Sequence, residues 1–194
     1  MKALEHFTVK LDKAIKDTIT TESGFELYID TRFKEFDNRV TEGPIHTTPA
    51  KFKTDAKEGD TLYFHHLVVI GEGQRFPDTS DLYMVKYCDV QVTSNQAIAF
   101  KSKASGTIHP LFGWSLISPL EEKPEEDSNG IRIVKLKEVE VTKGQVEICS
   151  PQMKEMGLRK GDVVGFKKNR DYRITIDGKE YYRVALSELL YKEV

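Results

Sequence analysis

The sequence has little of what marks several protein classes. It contains only two cysteines, Cys88 and Cys149, and no Cys-x-x-Cys spacing, so a disulfide-stapled scaffold and a structural zinc site are not indicated. The formal net charge of −2 provides no global field that would attract nucleic acid or an anionic membrane. No apolar run approaches the roughly 18 residues of a membrane helix, and no signal-peptide pattern opens the chain. We therefore expect a cytoplasmic protein without membrane or nucleic-acid partners.

Catalytic and metal motifs are also scarce. No serine lies in a Gly-x-Ser-x-Gly elbow, and the glycines near Gly71 precede neither a lysine nor a helix that could hold phosphate. His65 and His66 are adjacent, and neighbouring strand residues point to opposite faces, so we do not expect them to share a metal ion. The acidic run 121–127 lacks the ligand spacing of a calcium loop. The sequence predicts no catalytic residues, no metal and no cofactor, and hence not an enzyme.

Short alternating or apolar runs typical of strands are abundant, whereas helical periodicity is not. The runs 61–64, 67–70, 163–166 and 172–176 are predicted strands. Asp177-Gly178 separates the last of these from another alternating run, which is the strongest short signal for a β-hairpin. The predicted fold class is all-β.

Four blocks of sequence recur in the same order at an offset of 99 to 106 residues. The clearest pair is Lys57-Glu58-Gly59-Asp60-Thr61-Leu62-Tyr63-Phe64 and Arg159-Lys160-Gly161-Asp162-Val163-Val164-Gly165-Phe166. Changes in surface loops explain the drift of the offset. The repeat predicts two tandem domains, 1–92 and 108–194, joined by a small and polar linker, 93–107, in which 97–100 is a candidate tethering strand.

The second copy resembles the small co-chaperonin family, chaperonin-10 or GroES. The resemblance rests on Lys143-Gly144-Gln145-Val146, on the Gly161-Asp162 block and on the closing Ser187-Glu188-Leu189-Leu190. It covers residues 108–194 well and 5–92 more loosely. It implies two GroES-like small β-barrels, each with a mobile loop, that cap an ATP-bound chaperonin ring and assist protein folding. It also implies a homo-oligomer.

Two segments match the position of the mobile loop. Residues 18–38 begin with a polar stretch that ends at Gly24, and the strongly acidic segment 121–130 cannot bury apolar surface. The apolar residues that follow are the predicted chaperonin contacts: Phe25, Leu27, Ile29, Ile131, Ile133 and Val134. Alternation alone favours the alternative, a hairpin whose apolar positions face the core, and the family resemblance brings the two interpretations near parity.

Two other functions stay open. A structural or assembly protein could use a duplicated barrel for oligomer contacts alone. A nucleic-acid-binding barrel would use the basic cluster formed by Lys167, Lys168, Arg170 and Arg173, although such a cluster is more often a solvated hairpin tip.

Overall fold

The computed structural model describes residues 2–21, 23–28, 30, 38–70, 75–91, 95–120 and 142–193. Within them the chain forms two compact units, Met1–Gly113 and Trp114–Val194. All sheets are antiparallel, which confirms the all-β prediction. None of the helices in these ranges has the length and apolar character needed to cross a bilayer.

The first unit contains a six-stranded sheet in the order β6-β1-β4-β5-β7-β8 and a separate hairpin, β2–β3. Its strands are β1 His6–Lys10, β2 Thr18–Thr20, β3 Glu26–Tyr28, β4 Glu42–Thr47, β5 Thr61–Phe64, β6 Leu82–Lys86, β7 Ala97–Lys101 and β8 Ile108–Pro110.

The second unit contains a six-stranded sheet in the order β12-β13-β9-β10-β11-β14. Its strands are β9 Trp114–Pro119, β10 Lys143–Ile148, β11 Val163–Phe166, β12 Arg173–Ile176, β13 Lys179–Ala185 and β14 Leu189–Lys192. A short helix, α1 Pro151–Glu155, follows β10.

Each unit has its own hydrophobic core, to which its strands contribute apolar side chains. In the first unit Phe7 and Val9 of β1 pack with Leu62 of β5 and Val85 of β6. Tyr87 also belongs to this core, where burial raises the pKa of its phenol to about 12 and its hydroxyl donates to Lys53 O at 3.2 Å. The second core collects Ile117, Val146, Met153, Leu158, Val164, Phe166, Tyr182, Val184 and Leu186.

The strand pairing differs from the closed barrels that the resemblance implies. Among the described residues each sheet is open, because its first and last strands are not hydrogen-bonded to each other. Residues 93–107, the predicted linker, contain β7, which is paired with β5 on one side and β8 on the other. The division between the compact units lies after Gly113 rather than at this segment.

The apolar run 67–70 was predicted as a strand, and this prediction is wrong. Residues His66–Val69 form a 3-10 helix in which only Val68 is buried. His65 Nδ1 accepts a hydrogen bond from Leu67 N at 3.1 Å and caps that helix. The turn also brings the His65 and His66 rings together, with centroids 4.3 Å apart, instead of placing them on opposite faces. No cluster of three or more potential metal ligands occurs in the described part of the chain.

The same hydrogen-bonded turn precedes β5 and β11. Asp60 Oδ2 accepts from Lys57 N at 2.8 Å, and Asp162 Oδ2 accepts from Arg159 N at 2.7 Å. The two aspartate carbonyls accept from Ile45 N and Val146 N, both at 2.8 Å. The preceding glycines, Gly59 and Gly161, have φ values of +88° and +94°, which side chains with a Cβ rarely adopt.

These two aspartates allow a matched prediction about stability. Asp60 is 6% exposed, and its second oxygen accepts from Lys103 N at 2.8 Å, whereas Asp162 pairs with Lys192 at the surface. Because Asp60→Ala leaves two backbone donors without an acceptor, we expect it to lower the free energy of unfolding by about 2–4 kcal/mol. Asp162→Ala removes one such acceptor and should cost about half as much.

Urea unfolding followed by circular dichroism measures the effect of Asp60→Ala. Trp114 is the single tryptophan and lies in the second unit, so its fluorescence reports on Asp162→Ala. Equal and small losses for the two variants would contradict a stabilising role of the buried turn.

Candidate docking surface

The first predicted loop segment forms the hairpin β2–β3. Its register pairs Thr18 with Tyr28, Ile19 with Leu27 and Thr20 with Glu26. The turn is closed by Thr21 N donating to Phe25 O at 2.8 Å and by Gly24 N donating to Thr21 O at 2.9 Å. The hydroxyl of Thr21 also accepts from Phe25 N at 3.1 Å. The polar residues before Gly24 therefore form the turn, and the apolar residues begin just after it.

The root of this hairpin is fixed to the first unit. Lys16 N donates to Asn38 O at 2.7 Å, and Val40 N donates to Ala14 O at 3.0 Å. Ala14 and Val40 pack against the hydrophobic core of the unit. The hairpin thus leaves the sheet between β1 and β4 from an anchored base.

The apolar side chains of the hairpin face solvent. Phe25 is 72% exposed, Leu27 is 56% exposed and Tyr28 is 83% exposed. Leu27 and Tyr28 are neighbours on β3 and point to opposite faces, so neither face of this strand is covered. The alternative in which the apolar positions face the core does not hold for Phe25 and Leu27. Burying a large apolar side chain stabilises a protein by about 1.5–3 kcal/mol relative to leaving it in water. A cluster of exposed apolar side chains is therefore typical of an interaction site.

The other predicted contacts cannot be placed in the same way. Ile29, Ile131, Ile133 and Val134 lie outside the described residues. Ile131, Ile133 and Val134 lie between β9 and β10, and these two strands pair with Gly144 opposite Pro119. The segment between β9 and β10 therefore holds the same topological position as the hairpin segment between β1 and β4.

The basic cluster is only partly available for a nucleic-acid backbone. Arg170 Nε lies 2.9 Å from Glu188 Oε1, and Arg173 Nη1 lies 3.3 Å from Glu180 Oε2. The nearby aromatic ring of Tyr172 is occupied by the guanidinium of Arg183, 4.9 Å from its centroid. Two of the four charges are thus neutralised locally, and the ring that would stack on a base is already stacked.

The sequence analysis missed the end of β10 and the helix that follows it. Ser150 caps α1 by accepting from Met153 N at 3.2 Å, and Pro151 occupies the first turn of the helix. A Ser-Pro pair is a known start signal for a helix, and it was available in the sequence. Beside α1 lies a cleft whose lining includes Cys149 and three basic residues.

The comparison with protein families matches the second unit. Residues 107–192 match the family model described as Chaperonin 10 Kd subunit. The match covers less than half of the 194-residue chain and supports a chaperonin-10-like assignment for this one copy. It includes β8 to β14, the turn at Asp162 and the segment that holds Ile131, Ile133 and Val134. No curated protein matches the chain.

The exposure of the hairpin gives a direct prediction. Because Phe25 and Leu27 contact no core, the double variant Phe25→Ser/Leu27→Ser should change the free energy of unfolding by no more than about 0.5 kcal/mol per site. Differential scanning calorimetry measures this. For comparison, Val85→Ser in the buried core should unfold the first unit at a clearly lower temperature. A similar loss for the double variant would mean that the hairpin residues are packed in solution.

Proposed function

We propose that this protein is a co-chaperonin-like lid that binds a chaperonin ring through two apolar arms and assists protein folding. The match of residues 107–192 to the chaperonin 10 family carries this proposal. The exposed hairpin supports the location of the first arm. The hydrolysis of ATP belongs to the ring, so this chain needs no catalytic residue of its own.

We also propose that both units descend from one duplicated domain. The order β6-β1-β4-β5-β7 in the first unit corresponds to β13-β9-β10-β11-β14 in the second. Gly43 and Gly144 hold equivalent places, and a Cβ at either would collide with a neighbouring apolar side chain, Leu11 or Ile117. The equivalent turns at Asp60 and Asp162 add a third correspondence. Similar topology, packing constraint and hydrogen bonding support duplication more strongly than the sequence blocks alone.

The arms would bind by adding apolar contacts to grooves on the ring. Phe25 and Leu27 already stand in solvent on a hydrogen-bonded hairpin, so docking requires little further ordering of these residues. Each side chain transferred from water to a groove contributes about 1.5–3 kcal/mol. A single arm is therefore weak, and several arms on one assembly raise the affinity through effective concentration.

The direct test mixes the protein with a purified chaperonin ring, with and without ATP, and measures association by native mass spectrometry. We expect association only with nucleotide. Phe25→Ser/Leu27→Ser should weaken it by about tenfold or more, because two apolar contacts are lost. Ile131→Ser/Ile133→Ser should act in the same direction through the second arm.

The matched control for the first arm is Val90→Ser, which removes another apolar side chain, 77% exposed, outside the hairpin. It should leave association unchanged. No association of the wild-type protein in any nucleotide state would refute the lid function. Unchanged binding by a folded hairpin variant would refute only the assignment of the hairpin as a contact with the ring.

A lid requires several copies, and we propose that β14 provides the contact between them. In the first unit β8 pairs with β7, with Phe100 opposite His109. In the described residues β14 pairs only with β11 and leaves its other edge bare. Ile98 on β7 is 1% exposed, whereas Leu190, at the equivalent place on β14, is 58% exposed. An uncovered edge strand is a template for another strand.

The chain offers a matching segment just before β1. Val9 and Ile117 are equivalent, since they pair with Ile45 and Val146. Counting back from them, Ala3 and Leu4 correspond to Leu111 and Phe112, which follow β8 and pack on the core of the first unit. Leu4 is 70% exposed, although Ala3 is buried and the carbonyls of both residues accept from Ala50 N and Lys51 N of the same chain. The exposed side chain of Leu4 is the part of this segment that a second copy would place on β14, head to tail, in a contact that gives closed rings or filaments.

Analytical ultracentrifugation at micromolar concentration tests this contact. We expect the wild-type protein to be larger than a monomer and Leu190→Asp to shift it toward monomer, because the edge would bury a charge. Leu67→Asp, which alters an apolar residue that is 48% exposed in the first unit, should leave the assembly intact. A strictly monomeric wild-type protein would argue against the lid.

A further inference from the structure

A cleft of about 520 Å³ opens beside the end of β10 in the second unit. Its lining consists of Cys149, Lys154, Gly157, Leu158, Arg159 and Lys160. This volume is within the range of about 300–1,000 Å³ that is usual for small-molecule sites. The hairpin and β14 contribute no residue to it, so the proposed lid function does not account for it.

The wall of the cleft is held in place by backbone hydrogen bonds. Gly157 N donates to Lys154 O at 3.0 Å, and Leu158 N donates to Met153 O at 2.9 Å. Met153 is fully buried in the core of the unit, and Leu158 is 6% exposed. Cys149 Sγ lies 3.3 Å from Leu158 O, which joins the two sides of the cleft. The cleft is therefore formed before any ligand arrives.

Positive charge in and around the cleft exceeds the negative charge that faces it. Lys160 Nζ lies 3.1 Å from Glu147 Oε1, but the same oxygen also serves Lys179 Nζ at 3.2 Å. The hydrogen bond from Lys160 lowers the pKa of the Glu147 carboxyl, so this anion is ionised at neutral pH. The second anion near the cleft is Asp162, whose carboxylate accepts from Arg159 N at 2.7 Å and pairs with Lys192 at 2.8 Å. Among the described residues, neither the Lys154 ammonium nor the Arg159 guanidinium has a carboxylate oxygen within 4.0 Å, although the Asp162 carboxylate accepts from the backbone N–H of Arg159.

We propose that this cleft binds a small molecule that carries phosphate groups. An arginine presents a planar set of donors that matches phosphate oxygens, and lysines add compact positive charges. Arg159 and Lys154 would supply these donors, while Leu158 and the Cys149 thiol would contact the apolar part of the ligand. Because the overall charge is −2, this excess of cations is local and is not a property of the whole chain.

Inorganic pyrophosphate is the simplest probe, titrated into the full chain by calorimetry at low ionic strength. The double variant Lys154→Gln/Arg159→Gln keeps polar side chains at both exposed positions and removes two charges that form no ion pair within the described part of the chain. We expect it to weaken pyrophosphate binding by about tenfold or more. The matched control, Lys57→Gln/Lys167→Gln, removes the same net charge outside the cleft and should leave the affinity within about twofold.

Cysteine alkylation by iodoacetamide gives a second readout that is specific to the place of binding. Cys149 lines the cleft, and Cys88 lies in the first unit as an internal reference. Burial raises the pKa of the Cys149 thiol, so the reaction should be followed at mildly alkaline pH. Pyrophosphate should slow the alkylation of Cys149 and leave that of Cys88 unchanged.

Three results would overturn this proposal: no binding of pyrophosphate by the wild-type protein, equal weakening by the cleft variant and the control variant, or equal protection of both cysteines. None of these results bears on binding to a chaperonin ring. Conversely, a protein that fails to bind the ring could still bind pyrophosphate, so the two proposals fail separately.

Discussion

The turn at Asp60 and its equivalent at Asp162 is the local constraint on which both sheets depend. In each, one residue bonds to two elements: the carboxylate accepts from the backbone three residues earlier, and the carbonyl accepts from the strand before it. The N–H of the glycine before each aspartate donates a hydrogen bond of 2.8 Å to a carbonyl of the same strand, that of Ile45 or of Val146. These bonds fix where β5 and β11 begin. They therefore set the register of β4 against β5 and of β10 against β11, and each of β4 and β10 follows one of the two predicted loop segments.

The buried apolar residues and the exposed apolar residues lie on different strands. The core strands bury almost every apolar residue they carry, whereas the hairpin β2–β3 exposes all of those that can be assessed, including Phe25 and Leu27. Hydrogen bonds between strands hold the hairpin in shape without a hydrophobic face of its own. A two-stranded hairpin in water is marginally stable by itself. Its anchored root at Ala14 and Val40 therefore matters as much as its tip, because it limits the directions in which the apolar residues can point.

Much of the fold could be predicted where a local signal and the tertiary structure agree. Asp177-Gly178 forms the expected tight turn, with positive φ at both residues and Ile176 opposite Lys179. The apolar run 67–70 was wrongly predicted as a strand, because a short apolar segment suits a strand or a helical turn, and the hydrogen bond from Leu67 N to His65 stabilises the helical turn. The hairpin β2–β3 was located by its polar turn and its alternation. Only the structure could show its exposure, because alternation does not say whether either face is covered. The cleft beside α1 had no signal in the sequence, since its basic residues converge only after the loop folds back on Met153.

The two units resemble each other in their strand order but differ in what covers their edges. The outer edge of β7 is paired with β8, and all of its residues but the last are buried, while every residue of β14 retains some exposure. If duplication produced the chain, the copies were under different pressures at this strand. The edge of β7 is hydrogen-bonded to β8 within the chain, so its residues could become apolar, as Ile98 and Phe100 show. On β14, Lys192 pairs with Asp162 and the Tyr191 ring lies over Gly165, so both side chains turn toward β11. The proposed contact between copies would be reversible for this reason, because an edge strand as apolar as β7 would associate with exposed strands of other molecules without selectivity.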